Sequence, residues 1–136
     1  MMVSRTLTRA TAPKATKALS ITAQLIAQQE GFGRPGAIPT VRRNPGNLRH
    51  GPNAQHPGAP NDVATYASDD LGWQDLERQL KLYAARNMTL RQMIAVYAPP
   101  VENNTSEYLE FVCDALAMTP DTTVRKALEI PGVARS

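Results

Sequence analysis

The stretch LSITAQLIAQQEG (residues 19–31), followed by FGRPGAIPTVRRNPGNLRHGPNAQHPGAPN (32–61), decides how this chain can fold. In the first part Leu25 and Ile26 fall one turn beyond Ile21, the spacing of a buried helix face. Ser20 is placed to cap the N-terminus. Gly31, directly after Glu30, can take the left-handed conformation that ends a helix. The second part cannot continue a helix: residues 31–61 hold six of the eight glycines and six of the eleven prolines. It reads as a long ordered loop, or as short strands joined by turns. Long loops inside compact domains are commonly functional or disordered. This one carries Arg34, Arg42, Arg43 and Arg49 and no acid, a local charge of +4.

Working outward, DVATYA (62–67) carries a weak strand signal in Val63, Thr65 and Tyr66. Ser68 or Asp69 then caps a helix running to about Arg86. Leu71, Leu76, Leu80 and Tyr83 recur at helical steps, Trp73 stands beside them as a core residue, and Glu77 and Lys81 form an i,i+4 pair on the outer face. Thr89 and Gln92 make a capping box for a helix with Leu90, Met93, Ile94 and Tyr97, stopped by Pro99-Pro100. Thr105 can cap the next helix, with Leu109, Val112, Cys113 and Leu116 as its apolar positions. A last helix, about 122–129, adds Val124 and Leu128. The expected class is mainly α (α+β), with the irregular or β region after the first helix.

A chain of 136 residues is one domain by length and can bury a real core. Its 42% hydrophobic and 20% charged residues are those of a globular protein. No apolar run approaches a membrane span. A single cysteine, Cys113, excludes a disulfide framework and a cysteine-rich zinc site. Two histidines, His50 and His56, are too few ligands for a metal centre, so no metal or cofactor is expected. Seven aromatics speak against a stacking platform for single-stranded nucleic acid. The net charge of +3 divides unevenly: residues 1–18 carry +4 and the rest −1. The expected organisation is therefore a basic, flexible tail at 1–18 and a domain at 19–136. The body is not that of a nucleic-acid-binding domain. The tail lacks an apolar h-region, so no secretory signal is expected, and its composition suits a flexible segment better than a transit peptide.

Three segments can carry chemistry. Glu30 ends its helix at the negative pole of the macrodipole, with Phe32 close by as apolar cover; both favour the protonated acid that general acid catalysis needs. Alone, it reads more readily as a solvated side chain at a frayed helix end. Asn44-Pro45-Gly46-Asn47-Leu48-Arg49 sets two amides and a guanidinium around a turn, and amides suit sugar hydroxyls and N-acetyl groups. Alone, it is also an ordinary turn. Tyr97 to Thr105 joins two helices, stiffened by prolines, with Asn103 and Asn104 able to face a cleft or simply to connect.

Taken together, EGFG (30–33), NPGNLR (44–49), GWQDLERQL (72–80) and YAPPVENNTSEY (97–108) resemble the small lysozyme-like lytic transglycosylases and muramidases encoded by phages and prophages. The resemblance runs from about Ile21 to Leu128. It implies a lysozyme-like helical domain with a glycan cleft, and peptidoglycan as substrate, cut at the β-1,4 bond between N-acetylmuramic acid and N-acetylglucosamine. It places the catalytic carboxylate at Glu30. Asn44, Asn47 and Arg49 would bind substrate or hold the cleft loop, with Tyr97, Asn103 and Asn104 facing them. Arg43 departs from the pattern, since such proteins often have another asparagine there.

Two-carboxylate glycosidases need a partner at a set distance. Asp69 and Asp70 are explained by helix capping, which leaves Asp62 as the candidate second carboxylate. A single-acid route fits better: Glu30 protonates the bridging oxygen, then accepts the C6 hydroxyl proton, leaving a 1,6-anhydro end. The expected partners are a peptidoglycan strand and virion proteins, with no specific nucleic acid and no integral membrane segment. The protein would be made in the bacterial cytoplasm and act at the wall. The alternative is a virion structural or glycan-binding protein that keeps the fold without turnover.

Overall fold

The computed structural model describes residues 18–56, 62–97 and 104–134. Most of the basic tail, the Pro99-Pro100 stop and Asn103 lie outside the described residues. The described chain is mainly helical. Its elements are β1 (Ala18–Ser20), α1 (Ile21–Glu30), α2 (Ile38–Val41), α3 (Asp69–Ala85), α4 (Leu90–Tyr97), α5 (Thr105–Leu116), α6 (Val124–Ala127) and β2 (Pro131–Ala134). None of these helices is long and apolar enough to cross a membrane.

Local chemistry explains the helix ends. Ser20 Oγ accepts from the Ala23 amide at 3.1 Å, and Gly31 closes α1 in the left-handed region at φ 97°. Ser68 caps α3 through the Leu71 amide, with Asp69 and Asp70 in the first turn where the dipole favours acids. The capping box at α4 is reciprocal: the Thr89 amide donates to Gln92 Oε1 at 2.9 Å, and the Gln92 amide to Thr89 Oγ1 at 3.1 Å. At α5 the cap is Asn104, one residue before the expected Thr105; its Oδ1 accepts from the Glu107 amide at 3.1 Å.

The core lies where these helices meet. α1 packs on α5 and α3, α4 on α5, and α3 on α6. Ile26, Leu76, Leu80, Leu90, Met93, Ile94, Val112 and Val124 are fully buried, each worth about 1.5–3 kcal/mol over an exposed position. Trp73 is buried edge-on to Phe32, ring centroids 5.4 Å apart at 79°. Cys113, the free thiol, is buried on α5, and burial pushes its pKa up.

The β expectation needs correction. Among the described residues the two-stranded sheet is built by β1 and β2, antiparallel, and the described part of the region after α1 is irregular. Gly132 allows it: a Cβ there would lie 2.2 Å from Leu19 O and 2.9 Å from Ile21 N, so only glycine lets the strands approach. Residues 62–67 form an isolated bridge, Thr65 with His56, and otherwise run extended against the loop, with Ala64 N bonded to Leu48 O and Tyr66 N to Arg42 O. The loop opposite turns too often to support a ladder. It also holds one helical turn, α2, whose Pro39 sits in the first turn where a missing N–H costs nothing. The last helix is shorter than expected. Glu77 does not face outward to Lys81; its Oε2 accepts from the Ser20 amide at 2.7 Å, tying β1 to α3.

Candidate active site

Glu30 is the last residue of α1. Both its oxygens are engaged by neutral donors from distant segments: Tyr108 OH donates to Oε2 at 2.9 Å, and Asn47 Nδ2 to Oε1 at 3.3 Å. Burial raises its pKa above the ordinary carboxylate value, and the bonds from Tyr108 and Asn47 oppose part of that rise. No ion pair among the described residues includes Glu30.

Each partner is held by its own element. Asn47 adopts φ 53°, a left-handed position that asparagine tolerates better than most residues. The turn before it is fixed by Asn44, which is fully buried: its Nδ2 donates to Leu48 O at 2.8 Å and Ala64 O at 3.0 Å, and its Oδ1 accepts from Leu48 N at 3.0 Å. Asn47 Oδ1 is buried and has no hydrogen-bond partner among the described residues. Gly46 lets the turn touch α3 and α4, since a Cβ there would lie 2.8 Å from Leu76 Cδ1. Tyr97, at the end of α4, donates its hydroxyl to Gly46 O. Burial holds the Tyr97 hydroxyl well above its usual pKa, and Tyr108 and Glu30 act in the same direction. Tyr108 projects from the first turn of α5; burial and the neighbouring Glu30 raise its pKa too, so it remains a proton donor in the hydrogen bond.

The structure thus brings Glu30, Asn47 and Tyr97 into one cluster. Asn44 lies beneath it as the brace of the turn and does not face outward. Arg49 is exposed on the same loop, and Asn104 is exposed as the α5 cap. Asp62 stands with Arg42: Arg42 donates to Asp62 Oδ1 at 2.7 Å and to Val63 O at 2.9 Å, and the Val63 amide donates to the same Oδ1 at 2.8 Å. The Arg42 hydrogen bond holds the Asp62 carboxyl below its ordinary pKa. Arg43, in a left-handed position at φ 54°, lies 3.8 Å from Asp69. His50 and His56 are exposed, and no cluster of three or more potential metal ligands occurs among the described residues.

Sequence reading missed Tyr108 and Asp75. The apolar pattern of α5 points to Leu109 for the inward slot, but Leu109 is only partly buried, whereas Tyr108 is buried and lies one turn before Val112. Asp75 is a buried acid between Trp73 and Leu76 on the inner side of α3. An acid on an apolar helix face was the available signal in that case. Neither protein-family models, nor curated proteins, nor solved structures provide a match to this chain.

Proposed function

We propose that this protein is a peptidoglycan-cleaving lytic transglycosylase of lysozyme-like fold, with Glu30 as its single acid and base. The observation that carries the reading is the state of Glu30: a shielded carboxyl at a helix C-terminus, held by two neutral donors and, among the described residues, by no cation. Such a group keeps its proton at higher pH than an ordinary glutamate and can pass it to a glycosidic oxygen. The bond to the leaving sugar oxygen then breaks. The ionised carboxylate next takes the proton of the C6 hydroxyl as that oxygen closes on C1, giving the 1,6-anhydro end. Asn47 and Tyr108 stabilise the carboxylate between the two transfers. Asp62 is engaged by Arg42 and the Val63 amide, which favours a one-carboxylate route over a paired one.

Mass analysis of fragments released from purified peptidoglycan tests the proposal. Anhydro-muramic ends are expected. Reducing ends would replace the transglycosylase step by hydrolysis, and intact glycan would leave the virion structural or glycan-binding alternative in its place.

The pH dependence follows from the same carboxyl. Activity should fall as pH rises through the raised pKa of Glu30, because the acid is then lost. Stability has the same sign. Below the unfolded value, near 4.5, both states are protonated. Above it the unfolded chain ionises first, so stability declines until the folded pKa is passed and is level thereafter. Melting curves across this window should show the decline in the parent protein and not in Glu30→Gln.

A further inference from the structure

Asp75 takes no part in the chemistry above, yet it is among the most deeply buried polar side chains described. Three donors converge on it. Asn53 supplies its amide N–H to Oδ2 at 3.0 Å and its side-chain Nδ2 to Oδ1 at 2.8 Å, and Tyr66 OH donates to Oδ2 at 2.8 Å. The chain at Gly51 is pressed against it so closely that a Cβ would lie 2.2 Å from Oδ2. These donors come from the two arms of the loop: Asn53 lies beyond the Asn44–Leu48 turn, and Tyr66 lies in the returning segment, whose amide bonds Arg42 O. On α3, Gly72, Asp75 and Leu76 share one face at helical spacing, and that face meets Arg43, Pro45, Gly46 and Gly51.

We propose that Asp75 is a positioning residue for the acid: by clamping both arms of the 42–66 loop to α3, it fixes where Asn47 stands against Glu30. The proposal rests on the reading of Glu30 as the acid only for its kinetic consequence. The geometry is independent of it. A buried carboxylate accepting three hydrogen bonds has no replacement when removed, because each donor is left unpaired. The loop must then shift to solvate them. Asn47, held by the same loop, loses its register with Oε1. Displacements of about 1 Å remote from the chemistry can cost on the order of 100-fold in rate.

The test follows the Glu30 carboxyl directly, by carbon-13 NMR titration of protein labelled at glutamate side chains, with the resonance assigned by its absence in Glu30→Gln. Asn47→Ala removes a bond that favours the charged form, so Glu30 should titrate at higher pH. Asp75→Ala should move it in the same direction. Combining Asp75→Ala with Asn47→Ala should add little to either alone. Loss of the Asp75 charge by itself acts the other way, easing ionisation of Glu30, so an upward shift marks displacement of Asn47. Asn53→Ala, which removes one donor and no charge, gives the same reading in a milder variant should Asp75→Ala fail to fold. On peptidoglycan, kcat/KM should drop roughly 10-fold or more in Asp75→Ala. A folded Asp75→Ala or Asn53→Ala protein whose Glu30 titrates as in the parent would overturn the clamp, as would fully additive shifts. If the parent cleaves no glycan, the proposed function fails while the titration still decides on Asp75.

Discussion

Glu30→Gln is expected to abolish release of glycan fragments, with a loss of roughly 100- to 10,000-fold, the range carried by a positioned general acid–base group. The fold should survive. Glutamine keeps the shape: its carbonyl oxygen can accept the hydroxyl of Tyr108, which lies 2.9 Å from Glu30 Oε2, and its amide can donate to Asn47 once the Asn47 side chain turns its Oδ1 toward it. The variant also lacks the ionisation that burial opposes in the parent, so at neutral pH it should melt no lower. Activity and melting must therefore separate. A Glu30→Gln protein that still clears the wall at the parental rate would remove Glu30 from the chemistry. One that loses activity only by unfolding would make the carboxyl a structural group instead.

Gly72→Ala should cost both stability and turnover. Helix propensity alone argues the reverse, since alanine in a helix interior is favoured over glycine by about 1 kcal/mol. The packing decides otherwise. A Cβ at 72 would lie 2.4 Å from Arg43 O, just before the Asn44–Asn47 turn, and 2.6 Å from Pro45 Cδ, within it. Backbone and a proline ring cannot rotate away as a flexible side chain can. Overpacking of this kind costs about 1–3 kcal/mol, which exceeds the propensity gain over most of its range. The urea midpoint should fall with little change in slope. The turn must also lift from α3, carrying Asn47 off Glu30, and cleavage should fall by up to about 100-fold. An alanine variant that is more stable and fully active would show that the loop does not rest on α3 in the way described.

Much of the helical framework was legible because its signals are local. Ser20 and Gly31 bracket α1, Ser68 opens α3, and Thr89 and Gln92 cap each other, all through contacts three or four residues apart. The sheet was not legible. β1 and β2 are three and four residues long and pair across most of the chain, so neither carries a pattern of its own. The site divides in the same way. Glu30 announces itself by standing at a helix end before glycine. The division of labour between the two loop asparagines does not: Asn44 and Asn47 differ in burial and in backbone conformation, which their shared motif cannot express. Tyr108 was hidden because a tyrosine on an apolar stripe looks like packing until the neighbour of its hydroxyl is known.

The buried thiol has a practical consequence. Cys113 is the only sulfhydryl in the chain, and it lies on the same helix as Tyr108, five residues further on. A thiol-reactive dye reaches it slowly while that helix is packed and faster as the helix moves from its neighbours, and it modifies a single atom. The rate of labelling, followed with and without glycan, therefore clocks the breathing of the element that holds the proton donor's partner, with no engineered probe.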